Sequence, residues 1–192
     1  MLYQVRTQEK DTVGILDDLE FLAPGFHVLD VGAGLGMLAN HLARRHTFYT
    51  GLEVRRPLVE VFKAHSWRQI MKHINVYSKV YNPLGILRPD KVRFPVETAS
   101  IDTVVCHSLF THLGTEAVAS RYMKEIHRVL KPGGNLWTSW FLDPPNEENM
   151  GEKRTVYRKA FVEKLLRGFH KVHESGGLTT MFHDQIYYGH KL

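Results

Sequence analysis

Apolar positions in this chain of 192 residues fall into two alternating rhythms: short near-continuous runs, and longer stretches spaced three or four apart. The alternation predicts strands and helices in turn. Val13, Leu16, Leu19 and Leu22 line one side of a leading helix over 11–23, which Pro24-Gly25 stops. A first strand over 27–31 follows, then a helix over 35–45 and a second strand over 47–53. The next helix is expected over 56–72, with Leu58, Val59, Val61, Phe62 and Ile70 available for packing, and a third strand over 73–77. From Tyr81-Asn82-Pro83-Leu84-Gly85 to Pro95 the chain is rich in turn formers. A fourth strand is expected over 101–106. The helix after it, over 116–130, carries Val118, Tyr122, Ile126, Val129 and Leu130 on its core side and stops at Pro132-Gly133-Gly134. A fifth strand over 135–142, a last long helix over 156–167 and closing strands over 171–174 and 185–189 complete the succession. Buried strands separated by amphipathic helices belong to a doubly wound α/β domain covered on both faces.

Composition narrows this picture. With 43% hydrophobic and 23% charged residues, the chain suits one well-buried domain over 1–192, residues 1–24 forming its leading segment. No apolar run approaches roughly 18 residues, and the first residues lack the apolar core of a signal peptide, so a soluble cytoplasmic protein is expected. The single cysteine, Cys106, excludes an internal disulfide framework and any cysteine-clustered zinc or iron–sulfur site. His41, His46, His65 and His73 show no metal-ligand spacing, and no metal is predicted. The formal charge is +5 with pI near 9.3. Lys153, Arg154, Arg158, Lys159, Lys164, Arg167 and Lys171 concentrate the positive charge near the C-terminus. They are spread around a helix that also carries Phe161, Leu165 and Leu166, and no aromatics interleave them as a stacking platform would. A solvated helix face explains them better than a nucleic-acid footprint, which stays open as an alternative.

The segment Val28-Leu29-Asp30-Val31-Gly32-Ala33-Gly34-Leu35-Gly36 reads as a buried strand running into a glycine hinge. Its spacing is D-x-G-x-G-x-G, not the G-x-G-x-x-G of dinucleotide-binding folds, which leaves a nucleotide-dependent dehydrogenase as an outside reading. The spacing resembles motif I of the class I S-adenosylmethionine-dependent methyltransferases, in particular their type 11-like domain. The resemblance extends from about Asp11 to the end of the chain. Ser100 to Leu113 is similar to the family's motif IV strand and exit loop, and Tyr122 to Gly134 to the helix and turn before its fifth strand. Membership implies a Rossmann-like, mostly parallel seven-stranded sheet with helices on both faces and the last strand antiparallel. It also implies S-adenosylmethionine as cofactor and S-adenosylhomocysteine as product.

By the same resemblance Asp30, Gly32, Ala33, Gly34 and Gly36 surround the methionine part of that cofactor. Glu53 stands at the end of the second strand, about 20 residues after the glycines, where this class of fold holds ribose hydroxyls, with Val54 beside it. The family usually places an Asp after the third strand to accept from the adenine amino group. This chain has Asn75 there, followed by Val76, and an amide carbonyl accepts the same bond without charge.

A sulfonium methyl is already activated, so the protein mainly aligns an acceptor and excludes water. When the acceptor carries a proton, a histidine is a natural recipient. His107, which leaves the carboxyl end of the fourth strand, and His112 are the candidates, and His107 also counts among the cofactor-contacting residues. Asp143-Pro144-Pro145-Asn146 is similar to the (Asp/Asn)-Pro-Pro-aromatic motif of amino-group methyltransferases, but follows the fifth strand and lacks the aromatic. It reads as a turn at the head of a polar segment, 143–153, that borders the acceptor site or covers it. Cys106 reads as a small buried residue. The expected reaction is methyl transfer by direct displacement to an oxygen or nitrogen of a small molecule, by a monomer or homodimer without membrane attachment. The alternatives are an RNA or DNA methyltransferase that uses the basic C-terminal helix, and a non-catalytic S-adenosylmethionine-binding protein.

Overall fold

The computed structural model describes residues 13–14, 16–17, 19–43, 45–66, 69–142, 154–175 and 185–192. Residues 13–14 and 16–17 are helical and 19–22 form a turn, so the leading helix ends before 23; its expected start at Asp11 lies outside the described residues.

β1 (His27–Val31) shows how the sequence builds two cores at once. Successive side chains on a strand face opposite ways. Leu29 and Val31 join one buried cluster and Val28 the other. Six further elements follow: α1 (Met37–Leu42), β2 (Phe48–Glu53), α2 (Arg56–His65), β3 (Ile70–His73), β4 (Ile101–Cys106) and α3 (Glu116–Val129). The chain then runs through β5 (Leu130–Leu142), β6 (Val156–Tyr157), α4 (Lys159–Leu165), β7 (Phe169–Ser175) and β8 (Gln185–Lys191). Among the described residues the strands lie in the order β3-β2-β1-β4-β5-β8-β7, the expected seven on one path, with the two-residue β6 paired to β5 off it. Pairings from β3 through to β5 are parallel, while β8 runs antiparallel to both β5 and β7.

Helices cover both faces. Val59 and Phe62 of α2, Leu38 and Leu42 of α1, and Val13 and Leu16 of the leading segment pack on one face; Ala119, Ile126 and Val129 of α3 and Val162 of α4 pack on the other. α3 starts where the Thr115 hydroxyl accepts from the Val118 N–H at 3.3 Å. Its buried Glu125 accepts from the Phe94 N–H at 2.9 Å and pairs with Arg128 at 2.6 Å, which ties the turn-rich segment down beside the helix.

Four expected elements change their bounds. The helix expected over 56–72 stops at His65, and the third strand is Ile70–His73, not 73–77. Parallel pairing to β2 sets this register, Thr50 opposite Ile70 and Glu53 opposite His73. The last helix shortens to α4 because Val156 and Tyr157 pair with Phe141 and Leu142 instead. Leu130, expected as the end of α3, turns extended and pairs with Ile101, so β5 begins there.

Candidate active site

Ligands in open α/β sheets sit beyond the carboxyl ends of the strands. A cavity of about 690 Å³ lies there, lined by Val31 and Gly32 after β1, Glu53 and Arg55 at the end of β2, and His107 and Leu109 after β4. Its volume suits one small-molecule ligand.

Glu53 is the electrostatic centre of this wall. It is 3% exposed, and a buried carboxylate needs donors. Oε2 accepts from the Gly34 N–H at 2.8 Å, and Oε1 accepts from the Arg55 N–H at 2.8 Å and from Arg55 Nε at 3.2 Å. The acid expected to meet a ligand is thus also the anchor of the glycine loop. The loop is further bonded to β2 through the Gly32 and Ala33 N–H groups, which donate to the Leu52 carbonyl at 2.9 and 3.1 Å.

The glycines divide by role. Gly32 lines the cavity beside Leu109. Gly36 adopts φ 72°, and a Cβ there would stand 2.4 Å from Phe62 Cε2, so this glycine lets the loop close against α2. Ala33, Gly34 and Gly36 do not line the cavity, and neither does Asp30. Asp30 lies beneath the floor, where its Oδ2 accepts from the Tyr49 hydroxyl at 3.0 Å. Burial raises its carboxyl to about pKa 7, against the pull of the Tyr49 hydroxyl and with a contribution from the Glu53 charge.

Val54 and Val76 line the cavity together with Ile74. Asn75 does not: its Oδ1 accepts from Asn82 Nδ2 at 3.1 Å, and its carbonyl from the Ile86 and Leu87 N–H groups. Its amide is spent on fastening the 76–87 segment.

His107 and His112 both reach the cavity. His107 stacks on Trp137 with ring centroids 5.5 Å apart and planes 7° from parallel, and burial lowers its pKa to about 4. Ser108 beside it holds φ 56°, a left-handed conformation uncommon outside glycine, which turns the chain sharply at the strand end. His112 sits on the short turn Phe110–His112, with its ring nitrogens 3.3 Å from the Tyr81 hydroxyl. The Arg55 guanidinium lies 5.3 Å above the Tyr81 ring. Burial raises the Tyr81 hydroxyl, with the Arg55 charge opposing. Tyr81 and Arg55 were not singled out from the sequence. Only the fold brings them to the wall, although the turn formers after Tyr81 mark where the chain doubles back.

Cys106 is fully buried at the end of β4, and burial, with the Asp30 charge, pushes its thiol well above the ordinary range. Among the C-terminal cations, Arg158 pairs with Glu116 at 3.0 Å and Arg154 lines the cavity above the Phe141 ring. The segment 143–153, with Asp143 to Asn146 and Lys153, lies outside the described residues. Among the described residues no helix is long and apolar enough to cross a membrane, and no group of three or more His, Cys, Asp or Glu is placed to hold a metal ion.

This wall fits S-adenosylmethionine on its own chemistry. A buried carboxylate faces a cavity flanked by the apolar side chains of Val54, Ile74, Val76 and Leu109, and the backbone of Gly32 stands where no side chain intervenes.

Comparison with known proteins agrees. Residues 29–138 match the family model described as a methyltransferase domain. The chain is 29% identical over 177 residues to a ubiquinone biosynthesis O-methyltransferase of Coxiella burnetii, covering 85% of this chain and 68% of that protein. It is 28% identical over 147 residues to the protein of the same name from Xanthomonas oryzae pv. oryzae, covering 76% and 54%. Among solved structures, an S-adenosylmethionine-dependent methyltransferase of Methanosarcina mazei superposes with TM-score 0.64 at 17% identity, over 90% of this chain and 95% of that one. Magnesium protoporphyrin IX methyltransferase of Synechocystis, solved with bound S-adenosylhomocysteine, gives TM-score 0.64 at 17% identity, over 98% and 84%. With more than half of its length matched by the family model and the sheet order in place, this chain belongs to the methyltransferase domain family and is an S-adenosylmethionine-dependent methyltransferase.

Proposed function

We propose that this protein methylates a hydroxyl oxygen of a small molecule, with His112 receiving the hydroxyl proton. One observation carries the reading. Arg55 links the two poles of the cavity: its Nε contacts Glu53, and its guanidinium covers Tyr81, whose hydroxyl touches His112. A cofactor acid and a candidate base therefore share one wall. The curated relatives, of which the chain spans 43 to 68%, are named O-methyltransferases, and this supports an oxygen acceptor.

Bound S-adenosylmethionine supplies an electrophilic methyl group. Glu53 would hold the ribose hydroxyls. A carboxylate offers about four acceptor positions. Three are filled by protein donors, so one hydroxyl takes the free position on Oε2, and a second displaces Arg55 Nε, the longest of the three contacts at 3.2 Å. Val76, Ile74 and Leu109 would flank the adenine, and the Gly32 backbone would admit the methionine part. His107, with its pKa lowered to about 4, stays neutral and is a poor resting place for a proton. His112 is the better recipient, its ring oriented by Tyr81.

The test is incubation of the protein with methyl-labelled S-adenosylmethionine and panels of small hydroxylated and aminated compounds, followed by mass spectrometry. Label on an oxygen of a small molecule supports the proposal. Label found only on nucleic acid, or tight cofactor binding with no turnover on any acceptor, overturns it.

A further inference from the structure

One segment beside the cavity carries a feature that methyl transfer does not use. Tyr77, Val80, Leu84, Ile86 and Leu87 are all exposed, Leu84 by 87% and Ile86 by 79%, and of these Tyr77 and Val80 line the cavity while Leu84, Ile86 and Leu87 do not. Water-facing apolar side chains gathered at Leu84, Ile86 and Leu87, away from the cavity, mark a surface that meets something.

The segment is firmly built. Ser78 and Asn82 exchange backbone hydrogen bonds at 3.0 Å, and the Tyr77 N–H donates to the Leu87 carbonyl at 2.9 Å. Asn82 Nδ2 donates to the Val76 carbonyl at 2.9 Å. On the return leg a Cβ at Gly85 would stand 2.5 Å from the Val76 carbonyl, so the two legs press together with no room to fold Leu84 and Ile86 inward. The turn at Asn82-Pro83-Leu84-Gly85 therefore holds Leu84 and the following Ile86 out in water. Its inner flank, Tyr77, Ser78, Lys79, Val80 and Tyr81, is part of the cavity wall.

Charge distinguishes among occupants. Residues 77–95 carry Lys79, Arg88, Lys91 and Arg93 against the single acid Asp90, which Arg88 pairs at 2.7 Å. Exposed apolar side chains flanked by cations need no matching groove in a fluid bilayer, where the side chains enter the acyl boundary and the cations meet lipid phosphates. We propose that the 77–87 ridge docks this protein on an anionic lipid surface. Docked in this way the ridge sets the cavity mouth at the headgroups, within reach of an apolar acceptor held in the bilayer. This last step rests on the small-molecule reading above; docking itself does not.

The test is co-sedimentation with phosphatidylcholine vesicles with and without phosphatidylglycerol, at low and high salt. The protein is expected to bind the anionic vesicles at least roughly tenfold better than the neutral ones and to be released by salt. Leu84→Asp/Ile86→Asp abolishes binding with S-adenosylhomocysteine affinity unchanged, and Lys91→Glu/Arg93→Glu weakens it several-fold. Absence of vesicle binding overturns the proposal, as does equal binding to neutral vesicles or binding that survives Leu84→Asp/Ile86→Asp. Dimerisation lost in Leu84→Asp/Ile86→Asp, without vesicle binding, assigns the ridge to a second copy and also overturns it. No methyl transfer enters these readouts, so failure of the O-methylation reading is scored separately.

Discussion

Asp30→Asn removes a carboxyl whose ionisation the fold opposes, and the consequence is a change in how stability depends on pH. The Asp30 carboxyl rises from 3.8 to about 7, chiefly through burial. That difference of about 3 units, at about 1.4 kcal/mol each, corresponds to roughly 4 kcal/mol. Between the two values the native state holds a proton that the unfolded chain has released, so stability falls as pH rises from about 4 to about 7 and levels off above. His107 works in the opposite sense. Its folded value near 4 lies below the ordinary 6.5, so its contribution is complete above about 6.5 and is lost as pH falls toward 4. The wild-type profile mixes the two slopes, and the difference between wild type and variant isolates Asp30. Asn keeps the volume and the carbonyl that accepts from Tyr49, so any cost of its extra N–H groups is constant with pH. Urea unfolding followed by circular dichroism at steps from about pH 4 to pH 8 should show the variant gaining on wild type by up to about 4 kcal/mol across the window, then running parallel. Parallel curves throughout would refute the claim that Asp30 is folded in a largely protonated form.

Glu53→Ala should weaken S-adenosylhomocysteine binding by about 1–3 kcal/mol and also lower stability, because the Gly34 N–H loses its acceptor; calorimetry and thermal melts separate the two effects. Gly36→Ala should destabilise by about 2–4 kcal/mol through its positive φ and its collision with Phe62, and unfolding midpoints check this, with partial recovery expected in Gly36→Ala/Phe62→Leu. His112→Gln should lower kcat on the oxygen acceptor by roughly 10²–10⁴-fold and flatten the acid limb of the pH–rate profile, whereas His107→Gln should leave that limb in place. Thr115→Ala should cost about 1 kcal/mol of stability by removing the cap of α3, measurable by urea denaturation.

The legible parts of the chain are those fixed locally. Val28 to Gly36 reads correctly as strand and hinge because burial on both faces and the need for positive φ at Gly32, Gly34 and Gly36 both leave a mark on residue type. The β4 strand and the body of α3 are equally plain, one from a near-continuous apolar run and the other from an amphipathic stretch. The end of α2 was not. Ile70 falls at helical spacing after Phe62, and only the long-range ladder to β2 decides that it starts a strand. Val156 and Tyr157 went astray for the same reason, being drawn to the edge of β5 from a sequence that also suits a helix. At the site, the place of Glu53 at the end of β2 is readable from its distance to the glycines. Tyr81 and Arg55 were not, since their meeting with His112 and Glu53 depends on the doubling back of 76–87, and so does the withdrawal of the Asn75 amide from the cavity.

The lone Cys106 thiol, sealed at the centre of the sheet with its ionisation suppressed, has a practical corollary. A thiol reagent gains access only when α3, whose Ala119, Tyr122 and Met123 share the buried cluster of Cys106, lifts from β4, so the modification rate clocks that opening. Because β4 leads into the loop that carries His107 and Leu109, a cofactor that braces the loop slows the same clock. The molecule thus contains a one-atom gauge of how tightly each ligand locks the middle of its sheet, with no label added.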